Sequence, residues 1–176
     1  AVRIELFSDY ETYWRTACAL AFGREIDAPW YIAMYPHILG CSTFLSAFLK
    51  IFGEHVMVAA VINVILTCLS GLLIYGICLR LASPLTAALA YLLWIVCPSK
   101  LMLDPLVFSE PLYTCLILLF FYLIVLIEQR RGSLPRRLGV CLLWGLALGV
   151  LLRAVNIVRP ISAILVIALV LWLLFL

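Results

Sequence analysis

The stretch Val56–Leu79, VMVAAVINVILTCLSGLLIYGICL, is apolar except for Asn63, Thr67 and Ser70. A bilayer core takes about 20 apolar residues of helix, with roughly 17–25 tolerated. In hydrocarbon every backbone N–H and C=O must be satisfied within the protein, so this run is predicted to be a spanning helix. Outward from it, apolar runs recur at Leu81–Cys97, Pro111–Ile127, Leu138–Leu152 and Ile161–Leu176, between short charged or proline-containing joints. Leu138–Leu152 is short and extends to Val158 if Arg153 faces protein or water. Pro84 and Pro111 stand at first-turn positions, where a missing N–H costs little.

Composition agrees. Of 176 residues, 67% are hydrophobic and 12% charged, and mean hydropathy is +1.22. A soluble domain is about half apolar and about a quarter charged. The net charge of +3 is spread over the ends of apolar runs, which argues against a nucleic-acid reader. None of the seven cysteines forms a Cys-x-x-Cys pair, and most lie inside apolar runs as small buried hydrophobes. The chain starts at Ala1 and stops at Leu176 within an apolar run, so it is expected to be a piece of a longer membrane protein. The expected fold class is all-α: a polytopic transmembrane helix bundle, with five spans over 54–176 and the last one truncated.

Residues 1–53 have another texture and are expected to form a long outer loop with two interfacial amphipathic helices. Ser8 and Glu11 fit a capping box. Tyr10, Tyr13, Trp14, Ala17, Cys18 and Ala21 then follow helical spacing, and Gly23 is placed to end the helix. A second helix follows Pro36, with Ile38, Cys41, Leu45, Phe48 and Phe52 on one face and Ser42, Ser46 and Lys50 on another. Trp30, Tyr31 and Tyr35 between them suit a membrane–water interface.

Alternation of the spans puts Arg80, Arg130, Arg131, Arg136 and Arg137 on one side of the membrane, and every acid except Glu128 on the other. The arginine cluster marks its side as cytoplasmic. The opposite side then gathers Asp9, Glu11, His37, Asp104, Glu110, Arg153 and Arg159 from four separate joints. Arginine matches phosphate oxygens, and a carboxylate can take a proton from a hydroxyl nucleophile. Each residue also has a structural explanation. Asp9 and Glu110 suit the first turn of a helix; Arg153 and Arg159 can snorkel to head groups; His37 and Asp104 are loop residues; Asn63 can hydrogen-bond between helices.

The order of these elements resembles the polytopic glycosyltransferases of the GT-C fold, the superfamily of dolichyl-phosphate-mannose protein mannosyltransferases and bacterial aminoarabinose transferases. The matching residues are Asp9-x-x-x-Tyr13-x-x-x-Ala17…Gly23, Tyr35-Pro36-His37…Phe52-Gly53, Asn63 in its span, Ser109-Glu110-Pro111 and Arg159-Pro160, over about residues 7–160. The resemblance implies inverting transfer of a sugar from a polyprenyl-phosphate carrier to an acceptor on the non-cytoplasmic face of the plasma membrane. It implies Asp9 as general base, Tyr13 within the site, and Glu110 and Asp104 orienting sugar hydroxyls or holding a divalent metal if one is used. Some relatives carry a basic residue where Tyr35 stands, so phosphate falls to His37, Arg153 or Arg159. The implied partners are the lipid-linked sugar donor, an acceptor of open identity and the bilayer, with no nucleic acid. Two other classes remain open at this stage: a transporter or flippase of lipid-linked sugars, and a non-catalytic membrane scaffold.

Overall fold

The computed structural model describes residues 9–99, 106–130, 138–160 and 162–174. Their regular structure is helical, with no strand among the described residues. In chain order the helices are α1 (Asp9–Phe22), α2 (Pro29–Met34), α3 (Ile38–Phe52), α4 (Val56–Leu81), α5 (Pro84–Ile95), α6 (Glu110–Arg130), α7 (Leu138–Val158) and α8 (Ser162–Leu174). Three of the described segments are long and apolar enough to cross a membrane: Val56–Leu81, Glu110–Arg130 and Gly139–Val158. They mark the chain as a membrane protein.

One further expected span is shorter as a helix than the apolar run that contains it. Within Leu81–Cys97 the helix is only Pro84–Ile95, about 18 Å at 1.5 Å per residue. Its start is set by Ser83, whose Oγ accepts the Thr86 N–H at 3.2 Å, with Pro84 in the first turn. Its end comes before Pro98, which biases the preceding residue away from helical dihedrals. In α8 the apolar helical stretch is Ala163–Trp172.

Contacts fix the directions of the helices. Asn63 near the start of α4 donates to the Leu106 carbonyl at 2.6 Å, just ahead of α6. At the far ends, Arg80 donates to the Tyr122 hydroxyl at 3.0 Å and Gln129 donates to the Arg80 carbonyl at 3.0 Å. Thus α4 and α6 run parallel. Helix α5 climbs part of the way back along α4, where the Trp94 indole donates to the Thr67 carbonyl at 2.9 Å. Helix α7 runs opposite to α6, since Arg159 at its end meets Glu110 at the start of α6. One end of the bundle therefore gathers the start of α4, the start of α6 and the end of α7.

Against that end lies a platform made by α1 and α3. The predicted apolar face of α1 is buried in Tyr13, Trp14, Ala17 and Cys18. The Ser8 half of the capping box lies outside the described residues. Gly23 ends α1 at φ +65°, a left-handed dihedral that glycine takes without a Cβ clash. Helix α3 starts after Pro36 as expected, but its polar face is not open. Ser42 and Ser46 are buried, whereas Phe52 is exposed. The cause is packing on two sides: Ser42 donates to the Tyr13 carbonyl at 3.1 Å, while Gly40 lies against the Ile157 backbone of α7. The platform's outer loops are joined by a two-point ion pair, Arg24 Nη1 and Nη2 to Glu54 at 3.0 and 2.7 Å. Arg24 holds the Glu54 carboxyl below its ordinary range. Helix α2, within the aromatic loop, was not foreseen.

Cys18 and Cys41 are buried as predicted, whereas Cys68 and Cys141 lie on exposed helix faces, and none of the seven is in a disulfide. Large apolar side chains such as Leu72, Leu85, Leu146 and Ile164 are exposed on the helices as well.

A Cβ at position 40 would run into the main-chain carbonyl of Ile157, whereas one at Gly145 meets nothing within 4 Å. Gly40→Ala is therefore expected to destabilise the chain by about 1–3 kcal/mol. Gly145→Ala should instead be neutral to stabilising, by up to about 0.5–1 kcal/mol. Denaturant titration in detergent followed by circular dichroism checks both.

Candidate functional site

The site is built where the α1–α3 platform meets the gathered helix ends. Asp9 and Glu11 occupy the first turn of α1, where the helix dipole favours acids. Asp9 and Tyr13 are four residues apart and so share a face. With Thr12, Tyr31, Tyr35, His37 and Ile38 they line a cavity of about 290 Å³. The Tyr31 hydroxyl donates to Asp9 Oδ1 at a long 3.5 Å. Tyr31 is steadied by Tyr35, with ring centroids 4.8 Å apart, and Tyr35 meets the His37 ring edge-on at 6.1 Å. Sequence reasoning saw these tyrosines only as interface anchors, because their α2 spacing shows no periodic pattern of its own.

The Tyr13 hydroxyl leads out of this cavity. It donates to Ser109 Oγ at 3.4 Å, and the same oxygen accepts Arg159 Nε at 3.4 Å. Arg159 Nη2 is paired with Glu110 Oε1, and the guanidinium lies 5.6 Å from the Tyr113 ring centroid. Ser109 is wholly buried, so its two lone pairs are met by two donors from different elements. Burial pushes the Tyr13 hydroxyl above the ordinary phenol range, against the opposing pull of its bond to Ser109. Tyr13 is thus a neutral donor at physiological pH. Burial, and then the nearby Glu110 charge, push the Cys41 thiol up to about 12, so it is no nucleophile.

His37 also lines a second cavity, of about 550 Å³, with Met34, Tyr35, Pro36, Arg153, Asn156, Ile157 and Pro160. Tyr35 and His37 are the wall between the two spaces. Arg153 is exposed, and among the described residues no acid pairs with it.

The structure thus gathers Asp9, Tyr13 and His37 around one cavity, and His37 with Arg153 around the next. Glu110 and Arg159 pair with each other and reach the first cavity through the Tyr13 hydroxyl. Asp104 lies outside the described residues. Among the described residues no group of three His, Cys, Asp or Glu side chains comes together to hold a metal ion, and the described partner of Glu110 is a guanidinium. Comparisons of the chain with protein-family models, with curated proteins and with solved structures each find no match.

The Glu110–Arg159 pair is partly exposed, at 40% and 32% of side-chain surface. A double-mutant cycle with Glu110→Gln and Arg159→Gln is expected to give a coupling of about 1 kcal/mol. Chemical unfolding of the four proteins measures it.

Proposed function

We propose that the chain belongs to an integral-membrane glycosyltransferase of GT-C type, which moves a sugar from a polyprenyl-phosphate carrier with inversion. In this reading the five apolar runs are five spans of a polytopic bundle. The platform lies on the non-cytoplasmic face of the plasma membrane. The observation that carries it is the pair of adjoining cavities: a carboxylate among tyrosines in one, and an arginine with no described acid partner in the other.

In this mechanism the acceptor oxygen attacks the anomeric carbon as Asp9 takes its proton. The bond from that carbon to the phosphate oxygen breaks, and its electron pair leaves on the phosphate. Arg153, with His37 at the shared wall, offers the charge and donors that the leaving phosphate needs. Arg159 is already committed to Glu110 and Ser109, which suits it to holding Tyr13 in place rather than to meeting phosphate. Proton transfer and positioning each lower the barrier.

A transporter of lipid-linked sugars would favour charged or broken helices at the midplane. The charged residues of α4, α6 and α7 (Arg80, Glu110, Glu128, Arg130 and Arg153) instead lie within about two turns of a helix end.

Asp9→Asn keeps the shape of the side chain and its ability to accept from Tyr31. In the full-length enzyme it should lower transfer from a polyprenyl-phospho-sugar by about 10²–10⁴-fold while donor binding is kept. Arg153→Ala should raise the KM for donor. Near-normal turnover of Asp9→Asn would falsify the base assignment.

A further inference from the structure

A third cavity, of about 470 Å³, opens on the other side of Thr12 and Tyr31, which wall both it and the Asp9 cavity. Its chemistry comes from Glu11, Arg15, Asp27 and Trp30. Ala28 adopts the left-handed φ of 49°, and this turn starts α2 so that Trp30 and Tyr31 stand beside α1. Arg15 bridges the two acids, with Nη2 2.6 Å from Glu11 Oε1 and Nη1 3.0 Å from Asp27 Oδ2. The guanidinium is thereby held still, and each carboxylate retains oxygen lone pairs for a ligand. Trp30 is 66% exposed, with its ring edge-on to Tyr31 at 5.8 Å.

We propose that this cavity is the acceptor subsite and that the acceptor is a saccharide. Fixed donors and acceptors at short spacing beside an exposed indole match a ligand with a rim of hydroxyls and an apolar C–H face. Two acids to one guanidinium disfavour a phosphate, and three charged groups disfavour an acyl chain. The order of the three adjoining cavities supports the role. Arg153 lies at one end, Asp9 in the middle and Trp30 at the other. Inversion requires the incoming oxygen and the leaving phosphate on opposite sides of the anomeric carbon, and the base beside the incoming oxygen. The acceptor role rests on the glycosyltransferase reading; saccharide binding does not.

The test is saturation-transfer NMR on the full chain in lipid nanodiscs, with mannobiose, chitobiose and maltose as probes and trilysine and farnesyl phosphate as competitors. At least one disaccharide should bind, and Trp30→Ala should weaken it by about tenfold. Asp27→Asn, which leaves the Arg15–Glu11 pair, should weaken it severalfold. Should Trp30→Ala lose helix content by circular dichroism, Asp27→Asn decides alone. Absence of disaccharide binding, binding unchanged in the variants, or displacement by trilysine overturns the proposal. Disaccharide binding without any sugar transfer would sink the enzyme reading and leave this site standing. Transfer to peptide alone would do the reverse.

Discussion

A hydroxyl with no access to water must be hydrogen-bonded, and in this protein that constraint falls on Ser109. Its side chain is fully buried where three parts of the chain converge. One donor comes from Tyr13 on α1, the other from Arg159 just past α7. Losing either donor changes how the platform sits on the bundle, because an unmet buried polar group costs about 1–3 kcal/mol. The ion pair to Glu110 turns Arg159 toward that oxygen, and the Tyr113 ring covers the guanidinium. Asp9 is one helical turn from Tyr13, so its position depends on this junction as well as on its long hydrogen bond from Tyr31.

The row of cavities follows from how closely the platform can approach. Gly40 lets α3 lie against the α7 backbone, and Ser42 draws α1 onto α3 through the Tyr13 carbonyl. With both helices pinned, the aromatic residues of α2 have only the outer edge of α1 to cover. They divide that edge into compartments instead of filling it, since Tyr31 and Tyr35 with His37 form walls. A row of rings at an interface also anchors a protein to head groups. The same side chains can therefore serve both as lining and as anchor.

Much of this was legible in the sequence. The end of α1 at Gly23, the start of α3 after Pro36 and the approximate extents of α4 and α6 follow from glycine, proline and apolar length. The gathering of Asp9, His37, Glu110, Arg153 and Arg159 at one end follows from alternation of the spans. What alternation could not supply is the pairing inside the gathered set. Arg153 and Arg159 are six residues apart at the end of one helix and look equivalent on paper. Only the crossing of α6 and α7 puts Glu110 against one of them. Ser42 and Ser46 were misread because hydropathy assigns a hydroxyl to the open face, whereas a hydroxyl that returns its proton to a backbone carbonyl can be buried at little cost. Helix lengths inside Leu81–Cys97 were overestimated because apolarity, unlike Ser83 and Pro98, does not set where a helix starts and stops.

The division of labour between the two arginines is what an electrostatic site needs. A cation already neutralised by a carboxylate attracts a second anion weakly, because the partner's field nearly cancels its own at a distance. It gains value as a rigid donor to a neutral oxygen such as Ser109. A guanidinium in an open cavity with no acid partner among the described residues, as at Arg153, keeps its planar fork for an incoming anion. Exchanging the roles would leave Glu110 without its described partner beside the bundle core. The positions six residues apart are thus not redundant copies: one holds the junction at Ser109, and the other lines an open cavity.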